Sequence, residues 1–216
     1  MSSWGIASPS LPSSPPPERA ATWPNARLVA YPGSFNPPTV GHLALAEAAL
    51  EASQADAVAF IVSEMALGKE TVEHPRFEDR IAVLRSVAES RPWMRVRTTR
   101  ARLLAEMAAG YGWLLIGADK WVQINELQWY GGREDARSAA LARLPSLIVA
   151  ARLDYAVPEE ARILVVPEAT DVSSTAARLG AHAMMAAEAL AFAERTGAWI
   201  NVARYEAERQ GNEASP

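Results

Sequence analysis

Along the chain, short runs of consecutive apolar residues alternate with longer stretches in which apolar positions recur every three or four residues. The short runs Arg27–Tyr31, Asp56–Val62, Met94–Thr98, Trp113–Ile116, Ser146–Ala150 and Ile163–Val166 predict strands, and all but Met94–Thr98 are nearly unbroken by polar residues, as strands buried on both faces are. Helical spacing predicts helices from Thr39 through Leu43, Ala46, Ala49 and Leu50, over Pro75–Ser90, over Arg100–Ala109 and near Arg133–Arg143. Strand and helix in strict alternation imply an α/β fold, a doubly wound parallel sheet in a single domain. Ligands of such sheets bind beyond the carboxyl ends of the strands, where the strand order reverses. No internal repeat is present.

The first 25 residues break this pattern. They hold prolines at 9, 12, 15, 16, 17 and 24, six of the fifteen in the chain, interleaved with serines. That composition buries too little apolar surface to offset its ordering entropy, so residues 1–25 are expected to be a disordered extension. The domain is expected over 26–205, with a flexible tail over 206–216. About 190 residues remain, enough for one core. A net charge of −4 gives no basic surface of the kind that nucleic-acid partners require. The absence of cysteine removes disulfides and thiolate metal sites and fits a cytoplasmic protein. No apolar run is long enough to span a bilayer, and no secretion signal is expected at the start of the chain. A homo-oligomer is left open.

The chemistry concentrates in Tyr31-Pro-Gly-Ser-Phe-Asn-Pro-Pro-Thr-Val-Gly-His42, a strand end, a glycine turn and a helix start. Gly33 permits close backbone approach to a ligand, and the free N–H groups of the helix's first turn make an anion site. Thr39 and His42 lie on that turn, where a hydroxyl and an imidazole reach a bound phosphate. Thr39 and, later in the chain, Ser173 are also well placed as helix N-caps. No G-x-x-x-x-G-K-[ST] and no G-x-G-x-x-G after the first strand is present, which argues against a Walker-type NTPase and a dinucleotide site. His42, His74 and His182 lack partners at metal-ligand spacing.

Thr39-Val-Gly-His42 resembles the (H/T)-x-G-H signature of the nucleotidyltransferase superfamily, and Val172-Ser-Ser-Thr-Ala-Ala-Arg178 resembles the Ile-Ser-Ser-Thr-x-x-Arg motif of its mononucleotide adenylyltransferases. The resemblance implies the Rossmann-like, HIGH-type nucleotidyltransferase fold. It also implies ATP contacts at Gly33, Ser34, Phe35, Asn36, Gly41, His42, Ser173, Ser174, Thr175 and Arg178. Gly117-Ala-Asp119 looks like the segment that contacts the adenosine ribose, where Asp119 accepts from hydroxyls; as a plain structural element Asp119 would instead cap a helical turn over 120–125. Only Lys69 and Lys120 among 21 basic side chains are lysine. Lys69, after the second strand, stands where these families place a lid residue on phosphate, with a random surface lysine as the alternative.

The acceptor is read from weaker signals. Trp129-Tyr130 resembles the pair that packs on the pyridine ring in nicotinate or nicotinamide mononucleotide adenylyltransferases, and Phe77-Glu-Asp-Arg80 resembles that branch's helix after the lid. Tyr31-Pro-Gly-Ser-Phe-Asn36 with threonine at 39 is closer to phosphopantetheine adenylyltransferases, and another phosphorylated acceptor stays open. The expected reaction is attack of an acceptor phosphate on the α-phosphorus of ATP, expelling pyrophosphate, as a step of NAD biosynthesis. His42, Thr39, Lys69 and Arg178 are the expected catalytic residues, Lys69, Trp129 and Tyr130 the acceptor contacts, and Mg²⁺ is expected to come with ATP rather than on protein ligands. A nucleotide-binding regulatory module without turnover is the rival outside enzymes.

Overall fold

The computed structural model describes residues 27–64, 74–151 and 155–213; the proline-rich extension and Lys69 lie outside them. Six strands form one parallel sheet: β1 Leu28–Pro32, β2 Ala57–Ser63, β3 Met94–Thr99, β4 Trp113–Gly117, β5 Ser146–Ala150 and β6 Arg162–Leu164, in the order β3-β2-β1-β4-β5-β6. Chain order runs outward from β1 in one direction and from β4 in the other, so the reversal lies between β1 and β4. Their carboxyl ends, Pro32 and Gly117, therefore flank the binding crevice of a doubly wound sheet.

Alternating side chains divide between two cores. Val29, Tyr31, Val58, Phe60, Val62, Leu115 and Ile148 face one side; Ala30, Ala59, Ile61, Leu114, Ile116 and Val149 face the other. The first core is covered by α1 (Val40–Ser53), α2 (Phe77–Glu89) and α8 (Ala187–Thr196), the second by α3 (Leu104–Met107) and α4 (Ala118–Ile124). Helices on both faces follow from strands with no polar face. Short helices α5 (Glu134–Leu141), α6 (Pro167–Thr170) and α7 (Ser174–Arg178) fill the connections. Of the sequence expectations, the helix over 100–109 shrinks to the four residues of α3, and the last strand ends at Leu164 with Val165 exposed.

The tail expected over 206–216 is instead the second half of α9, Val202–Glu213. Tyr205 explains the difference. Its ring is buried in the first core, and its hydroxyl accepts from the Arg76 N–H at 2.9 Å and donates to the Asp79 carboxylate, which also pairs with Arg209 at 3.2 Å. His74 and Glu206, 3.1 Å apart, add a second link. These contacts tie the last helix to the start of α2. Among the described residues no helix is long and apolar enough to cross a membrane.

Candidate active site

The chain leaves β1 without leaving the sheet at once: the Gly33 N–H still donates to the Ile61 carbonyl at 3.0 Å. Phe35 then takes a left-handed backbone, φ 42°, and its ring turns inward. It is 3 % exposed, packed edge-on to Tyr31 at 5.3 Å between centroids, against Phe60 at 4.9 Å, and edge-on to the His42 imidazole at 5.1 Å. A Cβ on Gly33 would meet the Phe35 ring at 2.7 Å, so glycine is required there by the protein's own aromatic packing. The side chain of Phe35, a residue expected from the sequence to contact ATP, packs against the His42 imidazole.

Pro37 and Pro38 cannot sit inside a helix, and Thr39, with extended φ −123° and ψ 162°, caps the one that follows. The Thr39 hydroxyl accepts from the His42 N–H at 3.3 Å, while the Thr39 N–H donates to His42 Nδ1 at 3.0 Å. This is a reciprocal capping box in which an imidazole replaces the usual carboxylate or amide. Because Nδ1 accepts, the ring proton sits on Nε2, and His42 is oriented as a hydrogen-bond donor through its far edge. Thr39, expected from the sequence to bring its hydroxyl to phosphate, is the cap that orients this imidazole. The residue is 1 % exposed, and its hydroxyl lies 2.8 Å from Nδ1.

The second motif packs on the first. Ser173 caps α7, accepting from the Ala176 N–H at 3.0 Å, and Ser174 donates to the Pro37 carbonyl at 2.8 Å. Arg178 donates to the Asn36 carbonyl and, at 3.3 Å, to the Thr175 hydroxyl. The Pro38 carbonyl accepts from the Ala186 N–H at 3.0 Å and the Ser34 carbonyl from Arg80 Nη1 at 3.3 Å. Four carbonyls of the loop are thus held from three separate places in the fold: α7, Ala186 and α2. Gly41 marks the contact between the motifs: a Cβ there would come within 2.9 Å of the Val172 Cβ. Asn36, another expected ATP contact, is buried with its Oδ1 accepting from Trp199 Nε1 at 2.6 Å.

At the end of β4, Gly117 caps α4 and Asp119 is that helix's second residue, not the cap of a later turn. A side chain on Gly117 would run into the Asp119 carboxylate, which therefore folds back over the strand end. Next to it opens a cleft of about 500 Å³ lined by Gly33, Ser34, Phe77, Arg80, Arg102, Lys120, Trp129 and Tyr130, among others. His42, Ser173, Ser174, Thr175 and Arg178 do not line it, whereas Gly33 and Ser34, from the loop that leads to His42, do. Tyr130 donates to the Ile124 carbonyl at 2.8 Å, and burial pushes its phenol up. Trp129 Nε1 is buried with no partner among the described residues.

Within a chain of net charge −4, the described lining holds three cations, Arg80, Arg102 and Lys120, against one carboxylate. That carboxylate, Glu64, is already paired with Arg100 at 3.0 Å. The cleft suits an anionic ligand with an aromatic part. Arg80 and Arg102 are not among the site residues expected from sequence. The available signal is an arginine set in the apolar stripe of Phe77, Ile81, Leu84 and Val87, where a charge is costly without a purpose. Among the described residues no group of three or more His, Asp or Glu could hold a metal ion.

Residues 30–179 match the cytidylyltransferase-like family model. The chain belongs to that family. Its nucleotidyltransferase fold is shared with the Plasmodium falciparum nicotinic acid mononucleotide adenylyltransferase complexed with APC, at a TM-score of 0.60 and 10% identity over 82% of this chain and 98% of that one. The same enzyme complexed with NaAD gives a TM-score of 0.59 and 11% identity over 81% and 97%. No curated protein sequence matches. The family matched is one of nucleotidyltransferases, and this cytidylyltransferase-like domain carries both of its expected motifs in contact with each other.

Proposed function

We propose that the chain is an adenylyltransferase that joins AMP from ATP to the phosphate of nicotinate or nicotinamide mononucleotide and releases pyrophosphate, a step of NAD biosynthesis in the cytoplasm. The observation that carries this reading is the cleft joining the Ser34 loop to Trp129 and Tyr130, with a cationic excess between them. An aromatic ring would pack at Trp129 while the acceptor's phosphate reaches toward Ser34 and the helix whose first turn carries His42.

An oxygen of the acceptor phosphate would attack the α-phosphorus of ATP in line. The bond from that phosphorus to the bridging oxygen breaks, and its electron pair leaves with pyrophosphate. The attacking oxygen is already ionised, so no general base is required, and rate comes from positioning and from neutralising charge. His42, held by Thr39 as an Nε2 donor, would bond an α-phosphate oxygen. Arg178 keeps N–H groups beyond those used on Asn36 and Thr175, and with Ser173, Ser174 and Lys69 it would hold the leaving pyrophosphate. Magnesium would enter with the ATP substrate and would supply charge neutralisation on its phosphates.

Pyrophosphate release from ATP, followed with nicotinate mononucleotide, nicotinamide mononucleotide and 4′-phosphopantetheine in turn, tests the reading. Turnover with a mononucleotide is expected. Turnover with phosphopantetheine alone would transfer the reading to the acceptor suggested by Tyr31–Asn36, and release with none would overturn it.

A further inference from the structure

Arg80 is the one described cleft cation that the packing of the fold buries rather than merely borders. It is 8 % exposed, on the first turn of α2, with its guanidinium 5.5 Å from the centroid of the Phe77 ring. Among the described residues its side-chain hydrogen bond is the one from Nη1 to the Ser34 carbonyl at 3.3 Å. Nε is buried with no partner, and no carboxylate among the described residues forms an ion pair with the group. Burial pulls its pKa down, with Glu78 and Tyr205 opposing. A guanidinium has five N–H donors, and leaving most of them unused in a buried setting is costly unless a ligand supplies the acceptors.

The position of Arg80 says which ligand atoms those are. It lines the cleft with Trp129, Tyr130 and Lys120, and none of Ser173–Arg178 lines that cleft. Its bond to Ser34 places it at the end of the cleft nearest the His42 loop. An acceptor seated with its ring at Trp129 has to bring its phosphate to this end, because the α-phosphorus it attacks is held near His42. We infer that Arg80 binds the phosphate monoester of the acceptor through its free guanidinium N–H groups and aims that phosphate at the α-phosphorus. Planar paired donors match two phosphate oxygens, which an ammonium cannot do. The inference rests on the proposed adenylyl transfer but not on the pyridine identity of the acceptor.

The test uses Arg80→Gln and Arg80→Lys in the full chain, with steady-state kinetics on nicotinate mononucleotide and 4′-phosphopantetheine and competitive inhibition by nicotinate riboside, which lacks the phosphate. For whichever acceptor the wild type uses, Arg80→Gln should raise the acceptor KM by roughly 10- to 100-fold, with Arg80→Lys intermediate. The KM for ATP should move less than about twofold, and the riboside should inhibit the mononucleotide-using enzyme as well as before. A structural role would instead lower melting temperature and weaken ATP, acceptor and riboside together, and that result overturns the inference. An unchanged acceptor KM in a well-folded Arg80→Gln variant overturns it too while leaving adenylyl transfer intact. If the wild type uses only phosphopantetheine and Arg80→Gln raises that KM, the pyridine reading fails and Arg80 stands. A wild type that turns over none of nicotinate mononucleotide, nicotinamide mononucleotide and 4′-phosphopantetheine overturns both.

Discussion

Trp199 Nε1 donates to Asn36 Oδ1 at 2.6 Å, a buried bond that links the segment after α8 to the loop carrying the first motif, 163 positions earlier in the chain. The Asn36 carbonyl is taken by Arg178, so one residue receives a donor from each of two later segments. The stretch Asn36–Pro38 before His42 is therefore held by the last third of the chain rather than by its own turn chemistry.

Trp199→Phe keeps most of the ring and its edge contact with Phe192, 6.0 Å between centroids, while removing the donor. It leaves Asn36 Oδ1 buried without a partner. That loss should cost about 1–3 kcal/mol of stability, read as a lowered melting temperature, together with a fall in kcat because the His42 loop loosens. Trp199→Phe with wild-type kcat would show that Arg178, Ser174 and Ala186 suffice to hold the loop.

His42→Ala should lower kcat at least roughly 100-fold, the scale of losing one preorganised donor to transition-state charge. Thr39→Val removes both the cap and the hydroxyl partner of Nδ1 and keeps the side-chain volume. It should cost about 1 kcal/mol of stability and a smaller part of kcat, since the Thr39 N–H still fixes the imidazole. Thr39→Ser should retain both. Equal kcat losses for Thr39→Val and His42→Ala would mean that Thr39 touches substrate itself.

Much of this arrangement is legible in the amino-acid sequence. The parallel sheet follows from six apolar runs separated by helical spacing, and both motifs fall beyond strand ends. Thr39 and Ser173 act as the caps their residue types suggest. What stays illegible is long-range: the chain carries no local mark of the Asn36–Trp199 bond, of Ser174 on Pro37, or of Phe35 turning under His42. Helices α8 and α9 leave little trace as well. α8 buries mostly alanines, whose small side chains give little periodic contrast, and α9 is polar except where Tyr205 enters the core.

Tyr205 also sets a pH response. Its phenol is pushed up from the ordinary value near 10, first by burial and next by the hydrogen bond to Asp79, with the Arg76 N–H and Arg209 opposing. A raised folded pKa means the folded state holds the proton more tightly than the unfolded one. The associated stability is fully present below about pH 10 and is lost as pH rises from there through the folded value. Tyr205→Phe should be less stable at about pH 8, since the Arg76 N–H loses its acceptor and Asp79 keeps only Arg209 as an ion-pair partner. It should also lose stability less steeply above about pH 10. Tyr111 and Tyr130, likewise raised by burial, keep some slope in the variant. Parallel curves for variant and wild type, from denaturant titrations at several pH values, would remove Tyr205 as a source of the alkaline response.

Trp129 separates an acceptor contact from a core residue. It is half-buried, lines the cleft beside Tyr130, and has no partner for Nε1 among the described residues, whereas the structural Trp199 is buried and bonded. If its face packs on the acceptor's ring, Trp129→Ala should raise the mononucleotide KM about threefold to tenfold, the value of an aromatic stack of roughly 0.5–1.5 kcal/mol, or somewhat more once lost area is added. ATP affinity should hardly change. Trp129→Phe retains a flat ring and gives up only a donor that the protein leaves unused, so it should recover most of the acceptor affinity. A tryptophan serving the core would behave otherwise: its truncation would cost roughly 3–5 kcal/mol of stability and depress both substrates together. Melting temperature measured beside the two KM values for Trp129→Ala and Trp129→Phe decides between them, and a stability loss of that size with parallel KM changes would place Trp129 in the scaffold instead of the acceptor site.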